Sequence, residues 1–167
     1  MAQNSSFDVT TGVDLQEVDH AVNQAQKEIA QRYDFKGSPA AIEFVKADST
    51  LVLTAEDAFK AGAVWEILQA RLIRRGVPVK NMELGEVEPA AGSTVRQVVK
   101  LQQGIPTEAG KAIIKYLKDQ GLKKVQASIQ GDQVRVSSPS KDDLQGAIRA
   151  LKAHDFGVEL QFGNFRG

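Results

Sequence analysis

The sequence of 167 residues contains no cysteine, which excludes disulfide bonds, thiolate metal sites and cysteine nucleophiles. Histidine is nearly absent too: His20 and His154 are the only two, and both fall on the surface or at the end of a predicted helix. A histidine in such a position is usually solvated rather than catalytic. The motifs HExxH, GxSxG, Walker A and GxGxxG do not occur. We therefore expect a protein that is not an enzyme and that has no catalytic residue, metal site or cofactor.

The sequence also lacks a long apolar segment and a net charge. No run of about 18 apolar residues is present, and the first residues, MAQNSSFDV, do not resemble a secretory signal, so we expect a cytoplasmic protein with no membrane partner. The 21 basic and 21 acidic residues cancel, which argues against strong nonspecific binding to nucleic acid. Residues 1–90 nevertheless carry 9 basic and 14 acidic residues, and residues 91–167 carry 12 and 7. This asymmetry indicates two units, the second better suited to an anion.

The clearest structural pattern lies between Lys124 and Leu151, which reads as strand, turn, strand and helix. Apolar and polar residues alternate on both sides of Gly131-Asp132, a dipeptide that closes tight hairpins. Ser140 follows the second strand as a predicted helix cap, and the apolar residues after it recur at helical spacing. One face of this unit is therefore apolar and the other polar.

The two halves of the chain repeat one order of elements, namely strand, helix, strand, strand, helix and strand. In the first half we predict strands at 6–10, 41–47, 50–54 and 79–84, with helices at 14–33 and 57–75. Residues 86–94 read as a linker, after which the second half adds a strand at 95–101, a helix capped by Thr107, and a last strand at 158–165. The pattern predicts an α+β fold of two ferredoxin-like βαββαβ domains, each an antiparallel sheet with helices on one face, at about 11–90 and 91–167.

Several polar and aromatic residues are candidates for binding. The polar strand face of the second half is either a domain interface or the floor of a nucleotide site. No aromatic residue points outward from the central strands LVLTA and VRVSS, so an RNA-stacking sheet is not predicted. Tyr33 and Phe35 look exposed in one loop. Phe162 and Phe165 either seal a sheet edge or offer a ring to a base while Arg166 meets a phosphate.

A lysine stripe is the last unassigned feature. Its members lie on one face of the predicted third helix and directly after it: Lys111, Lys115, Lys118, Lys123 and Lys124. The stripe is either a solvated helix face or an anion-binding surface.

Five motifs, in order along nearly the whole chain, resemble the YajQ family of bacterial proteins: SFDV, RYDFKG at 32–37, IQGDQVRV at 129–136, KDDLQ at 141–145 and the closing FGNFR. The resemblance implies a nucleotide-binding protein. Some members of the family are associated with sensing cyclic di-GMP and with transcriptional or RNA-related partners. The resemblance also implies tandem ferredoxin-like domains with exchanged N-terminal strands, so that 6–10 joins the second sheet and 95–101 the first.

The matching motifs supply the candidate nucleotide-binding residues, which come from three parts of the chain: Arg32, Asp34, Phe35 and Lys36; Arg135; and Phe162, Asn164, Phe165 and Arg166. Two functions stay open at this point. The first is a nucleotide-binding effector, with cyclic di-GMP, GTP or ATP as ligand. The second is a module that contacts RNA or a regulatory protein and has no small-molecule ligand.

Overall fold

A computed structural model describes residues 4–167, over which the chain forms four helices and nine strands. The helices are α1 (Leu15–Gln31), α2 (Ala58–Arg74), α3 (Thr107–Asp119) and α4 (Lys141–Lys152). The strands are β1 (Ser5–Thr10), β2 (Ala41–Val45), β3 (Thr50–Ala55), β4 (Met82–Leu84), β5 (Glu88–Ala90), β6 (Thr94–Leu101), β7 (Gln126–Gln130), β8 (Gln133–Ser138) and β9 (Gln161–Arg166). None of these helices combines the length and the apolar character needed to cross a membrane.

The chain divides into two compact units. One runs without interruption over Val13–Gln102, and we call it the contiguous unit. The other joins the segment that ends at Gly12 to Gln103–Gly167, and we call it the split unit. Counted by these units, the difference in net charge is smaller than between residues 1–90 and 91–167. The contiguous unit carries 11 basic and 13 acidic residues, and the split unit carries 10 basic and 8 acidic residues.

The split unit is a four-stranded antiparallel sheet in the order β7-β8-β1-β9. Its inner strand β1 places Phe7 and Val9 on the face that packs against α3 and α4, where both side chains are fully buried. The alternation of β8 puts Val134 and Val136 on the same face. Both helices therefore cover one face of the sheet.

The contiguous unit follows the same plan with the strand order β2-β3-β6-β4, and β5 also pairs with β6. Leu51 and Leu53 of β3 and Val99 of β6 are fully buried in one core with the apolar stripes of α1 and α2. Both units thus have the two helices and the order of four antiparallel strands of a ferredoxin-like domain, as predicted, and the sheet of the contiguous unit has β5 as a fifth strand.

The strand orders show which segment of the chain supplies the first strand of each ferredoxin-like unit. In the split unit β1 takes the first-strand position, although the whole contiguous unit lies between β1 and α3 in the chain. In the contiguous unit β6 takes that position, although it is the last element of the unit. The contiguous unit therefore carries every strand of its own sheet, whereas the split unit depends on a strand from the far side of an inserted domain.

Local deviations from the predicted elements have simple causes. Residues 86–94 are not a free linker, because Glu88–Ala90 pairs with β6. The strand predicted from Val79 begins only at Met82, since Val79–Asn81 forms a 3-10 turn after Pro78. The cap of α3 is the extended Pro106 rather than Thr107, which already lies in the helix. The last strand begins at Gln161 rather than Val158.

We expect a fragment of residues 13–102 to fold by itself, because it contains all strands and helices of its unit. A fragment of residues 103–167 should stay unfolded, since it lacks β1 with the buried Phe7 and Val9. Truncation of one buried Phe alone costs about 3–5 kcal/mol. Circular dichroism and thermal unfolding of both fragments test this.

The matched control joins residues 4–12 to residue 103 through a Gly/Ser linker, and this fusion should regain a cooperative unfolding transition. Cooperative unfolding of residues 103–167 without β1 would contradict the assignment of the inner strand.

Candidate functional site

A β-bulge in β9 determines which face each side chain of the closing motif occupies. Asp8 of β1 pairs with Gly163 and Ser6 pairs with Arg166, so β9 carries one residue more than β1 over this stretch. Asn164 takes up the extra residue with a left-handed backbone (φ 54°). The bulge reverses the normal alternation, so that two aromatic residues share one face and two polar residues share the other.

The two aromatic residues, Phe162 and Phe165, both pack on Phe7. The ring centroids lie 5.9 Å and 6.0 Å from that of Phe7. Phe162 is half-buried under the Lys152 ammonium, 5.7 Å from the ring centroid. Phe165 is 62% exposed. Phe165 therefore anchors one part of its ring on the core and leaves the rest accessible.

The two polar residues, Asn164 and Arg166, meet Asp8 on the opposite face of the sheet. Asn164 Nδ2 donates to Asp8 Oδ2 at 2.6 Å, and Arg166 Nη2 lies 3.4 Å from the same oxygen. Arg135 of β8 donates from Nε to Asp8 Oδ1 at 3.1 Å. We call these four residues the Asp8 cluster. The Asp8 side chain is only 3% exposed, whereas those of Arg135 and Arg166 are 38% and 43% exposed, so the carboxylate lies beneath two accessible guanidinium groups.

The environment of Asp8 favours its ionised form. Burial acts to raise the pKa of this carboxyl group, but the hydrogen bonds from Asn164 and Arg135 and the charges of Arg135 and Arg166 outweigh it. The net result is a pKa below the ordinary value of an aspartate. With two guanidinium groups and one carboxylate, the cluster carries a net charge of +1.

The sheet face around the cluster is polar throughout, as strand register shows. Ser128, Arg135 and Asp8 lie side by side across three strands. Neighbouring rows on the same face contain Gln126, Ser137, Ser6 and Arg166, and Gln130, Gln133, Thr10 and Gln161. No aromatic ring lies on this face among the described residues.

A cavity of about 230 Å³ lies beside this sheet, between the ends of β1 and β9 and helix α4. Phe165, Leu144 and Ile148 give it an apolar wall. Lys141 and Gln145 of α4, together with Arg166, supply its polar groups. Arg166 therefore borders both the cavity and the Asp8 cluster. Sequence reasoning missed Asp8, Lys141 and Gln145; the charged residue inside the short apolar strand FDV was the available signal for Asp8.

The candidate residues of the RYDFKG motif belong to the contiguous unit, and two of them, Arg32 and Asp34, form an ion pair. Arg32 donates from Nε and Nη2 to the two oxygens of Asp34 at 3.0 Å and 2.9 Å. This hydrogen bonding raises the pKa of the Arg32 guanidinium and lowers the pKa of the Asp34 carboxyl. Glu28 provides a further contact to Arg32 at 3.4 Å. Acidic neighbours therefore already neutralise Arg32.

Phe35 of the same motif is not the exposed ring that the sequence indicated. It is 5% exposed, because a 3-10 turn over Tyr33–Phe35 directs it into the core of the contiguous unit. Lys60 lies over its ring at 4.6 Å from the centroid and donates to the carbonyl oxygen of Asp34. The accessible aromatic residues of this unit are instead Tyr33 and Phe59, 88% and 82% exposed. Lys36, three residues after Tyr33, is exposed as well.

The structure thus gathers only some of the candidate residues. Arg135, Asn164 and Arg166 converge on Asp8, and Phe165 lines the adjoining cavity. Arg32, Asp34, Phe35 and Lys36 form a separate group in the other unit. In the part of the chain that the structure describes, no group of three His, Asp or Glu side chains is placed to hold a metal ion.

Asp8→Asn should destabilise the protein by about 1–3 kcal/mol at pH 7, because the buried acceptor of Arg135, Asn164 and Arg166 loses its charge. The folded-state pKa of Asp8 is depressed, so its ionised form stabilises the fold above about pH 4 and the contribution is lost as the pH falls further. Urea unfolding of wild type between pH 2.5 and 7 should therefore show a steeper loss below pH 4 than Asp8→Asn.

Asp48→Asn, which changes an exposed aspartate of the contiguous unit, is the control and should follow the wild-type pH dependence closely. Equal acid sensitivity of wild type and Asp8→Asn would contradict the role given to the Asp8 carboxylate.

Comparison with known proteins assigns the chain to a family. Residues 5–166 match the family described as nucleotide-binding protein YajQ-like. The chain is 53% identical over 161 residues to a protein of Acidithiobacillus ferrooxidans named nucleotide-binding protein, covering 96% of this chain and 98% of that protein. It is 51% identical over 166 residues to one of the same name from Desulfitobacterium hafniense, covering 99% and 100%. A relative in Solibacter usitatus is 47% identical over 163 residues, covering 98% of both chains. The chain therefore belongs to the YajQ-like family.

Proposed function

We propose that this protein binds a nucleotide and that the split unit carries the site. The observation that carries the proposal is the position of Arg166, which borders the apolar cavity and also takes part in the Asp8 cluster. A nucleotide needs an apolar surface for its base and cations for its phosphate, and here the two lie next to each other. The name nucleotide-binding protein, which the relatives share, supports the same function.

The cavity suits a base. Phe165 offers an accessible ring, Leu144 and Ile148 form an apolar wall, and the Gln145 amide can pair with the polar edge of a base. Its volume of about 230 Å³ is below the roughly 300–1,000 Å³ of sites that enclose a whole drug-sized ligand. One base would enter, and the remainder of the ligand would lie outside, along the polar sheet face.

The Asp8 cluster suits a phosphodiester. Arg135 and Arg166 are accessible and held in place by the carboxylate beneath them, and guanidinium groups bind phosphate oxygens well. A net charge of +1 matches the single negative charge of a phosphodiester better than the multiple charges of a triphosphate. These features favour cyclic di-GMP over GTP and ATP, and we propose an effector that transmits its binding to a protein or nucleic-acid partner in the cytoplasm.

The same residues support a binding role rather than catalysis. They offer stacking, charge neutralisation and hydrogen bonds, and both histidines lie elsewhere: His20 is 3.7 Å from Glu17 on α1, and His154 stacks on Tyr116 at 4.4 Å. We therefore keep the proposal that the protein is not an enzyme.

Isothermal titration calorimetry with cyclic di-GMP, GTP and ATP tests the proposal. We expect cyclic di-GMP to bind most tightly and Arg166→Ala to weaken it about tenfold or more, since one charged hydrogen-bonding partner of the phosphate is lost. Arg149→Ala is the control, because Arg149 is exposed on α4 and does not line the cavity. No heat with any of the three nucleotides, or equal affinities of the two variants, would overturn the proposal.

A second candidate function, contact with RNA, is favoured by Tyr33 and Phe59 of the contiguous unit. Both rings are almost fully exposed, and each has a lysine close by in the chain, Lys36 after Tyr33 and Lys60 after Phe59. Exposed rings beside cations can stack bases and contact the backbone of a single strand.

For this candidate we expect the double variant Tyr33→Ser/Phe59→Ser to lower the affinity for a single-stranded RNA oligonucleotide about tenfold or more, at unchanged stability, since base stacking on each ring contributes about 1–3 kcal/mol. Fluorescence anisotropy measures the affinity. Ile73→Ser, which replaces another exposed apolar residue of α2, is the control. RNA affinity that is the same in both variants would exclude this role for the two rings.

A further inference from the structure

The edges of the two sheets are protected to different degrees. An exposed edge strand invites pairing with another chain, and proteins commonly block it with charges, proline or a bulge. Of the edge strands in the described chain, β2 contains Glu43, β4 contains Glu83, β5 contains Pro89, and β9 contains the bulge and Arg166. Strand β7, with the sequence QASIQ, has none of these features.

Strand β7 is also regular and accessible. Its five residues pair in unbroken antiparallel register with β8, which is its only partner strand within residues 4–167. Four of the five residues are exposed, and Ile129 keeps 38% of its surface accessible although its side chain points toward Gly110 of α3. The edge of β7 is therefore open along its full length.

The hairpin turn indicates which backbone groups face outward. Gly131 and Asp132 form a two-residue turn, with Gly131 at a φ of 64°, and Gln130 pairs with Gln133 directly beside it. A two-residue turn is flanked by a hydrogen-bonded pair, and such pairs alternate along an antiparallel ladder. Ala127 and Ile129 consequently direct their N–H and C=O groups away from β8, toward the open edge.

An apolar groove accompanies this edge. A cavity of about 330 Å³ lies between α3 and β7, with Ile114, Leu117, Val125 and Ala127 in its wall. An added strand would place every second side chain over this groove, next to Ile129, and the alternate side chains on the polar face beside Ser128. The groove therefore selects apolar residues at alternate positions.

The lysine stripe indicates which charge a segment that pairs with β7 should carry. Lys118 lines the groove, Lys123 and Lys124 directly precede β7, and Lys111 and Lys115 are exposed on α3. None of the five forms an ion pair with a described acidic residue. Antiparallel pairing of two β7 strands from two copies would set their α3 helices, with Lys111, Lys115 and Lys118, side by side, and the repulsion between these like charges disfavours self-association through this edge. An acidic segment is complementary to it.

We propose that β7 is a docking edge for an extended peptide of a partner protein, with apolar residues at alternate positions and acidic residues at its ends. The peptide adds a fifth strand to the sheet of the split unit, as in other cases of recognition by β-strand addition. This proposal does not rest on the proposed nucleotide site, because it is argued from β7 and α3, whereas that site is argued from the Asp8 cluster and the cavity beside α4.

The test uses the intact protein and a synthetic, fluorescein-labelled peptide of sequence DEVTVTVED as the probe. Fluorescence anisotropy should show saturable binding that weakens with added salt. Ala127→Pro should lower the affinity about tenfold, because it removes one outward N–H while leaving the β7–β8 hydrogen bonds in place. Lys118→Glu should also lower it, whereas Lys27→Glu, at an exposed lysine of α1, should leave it unchanged.

Three further measurements separate the alternatives. Amide hydrogen exchange should show protection at Ala127 and Ile129 only when the peptide is present, and circular dichroism should show that Ala127→Pro remains folded. A scrambled peptide with the same composition but without alternation should bind more weakly. The proposal is wrong if the peptide does not bind at millimolar concentration, or if Ala127→Pro binds it as tightly as wild type. It is also wrong if the Lys118-dependent ligand proves to be single-stranded RNA, or if the edge instead mediates self-association that Ala127→Pro abolishes.

Discussion

The pairing of β1 with β8 on one side and β9 on the other is the interaction on which the split unit depends. The side chains of β1 contribute to both faces of the sheet. Phe7 and Val9 fill the core under α3 and α4, and Asp8 between them holds Arg135, Asn164 and Arg166 on the opposite face. Six residues near the start of the chain thus connect the stability of the split unit with the order of its candidate binding groups.

The bulge in β9 is the second constraint, because it separates stacking groups from charged groups. Regular alternation would put Phe162, Asn164 and Arg166 on one face. The extra residue at Asn164 instead sends Phe162 and Phe165 toward Phe7, and Asn164 and Arg166 toward Asp8. A base and a phosphate can then be bound at adjoining surfaces. Burial of Asp8 is tolerated because its three partners satisfy the carboxylate.

Local features were predictable because neighbouring residues determine them. The Gly131-Asp132 turn and the Ser140 cap of α4, which accepts a hydrogen bond from the Asp143 N–H at 3.2 Å, are as expected. Asp14 likewise caps α1. Phe35 shows the limit of such reasoning. Its loop position suggested exposure, but one 3-10 turn buries the ring in the core, an outcome that depends on α2 and Lys60 far along the chain.

The sequence by itself determined the fold class, the order of elements, most of their boundaries and the family, since periodicity, turns, caps and motifs are all local properties. The family resemblance implied which sheet each first strand joins, but no local pattern did, because β1 and β6 carry apolar faces that fit either sheet. Only the tertiary structure shows β1 between β8 and β9, and β6 between β3 and β4. The same holds for the Asp8 cluster, whose members lie up to 158 residues apart in the chain. Strand register brings Asp8, Arg135 and Arg166 together, and register is set by long-range pairing that no local pattern records.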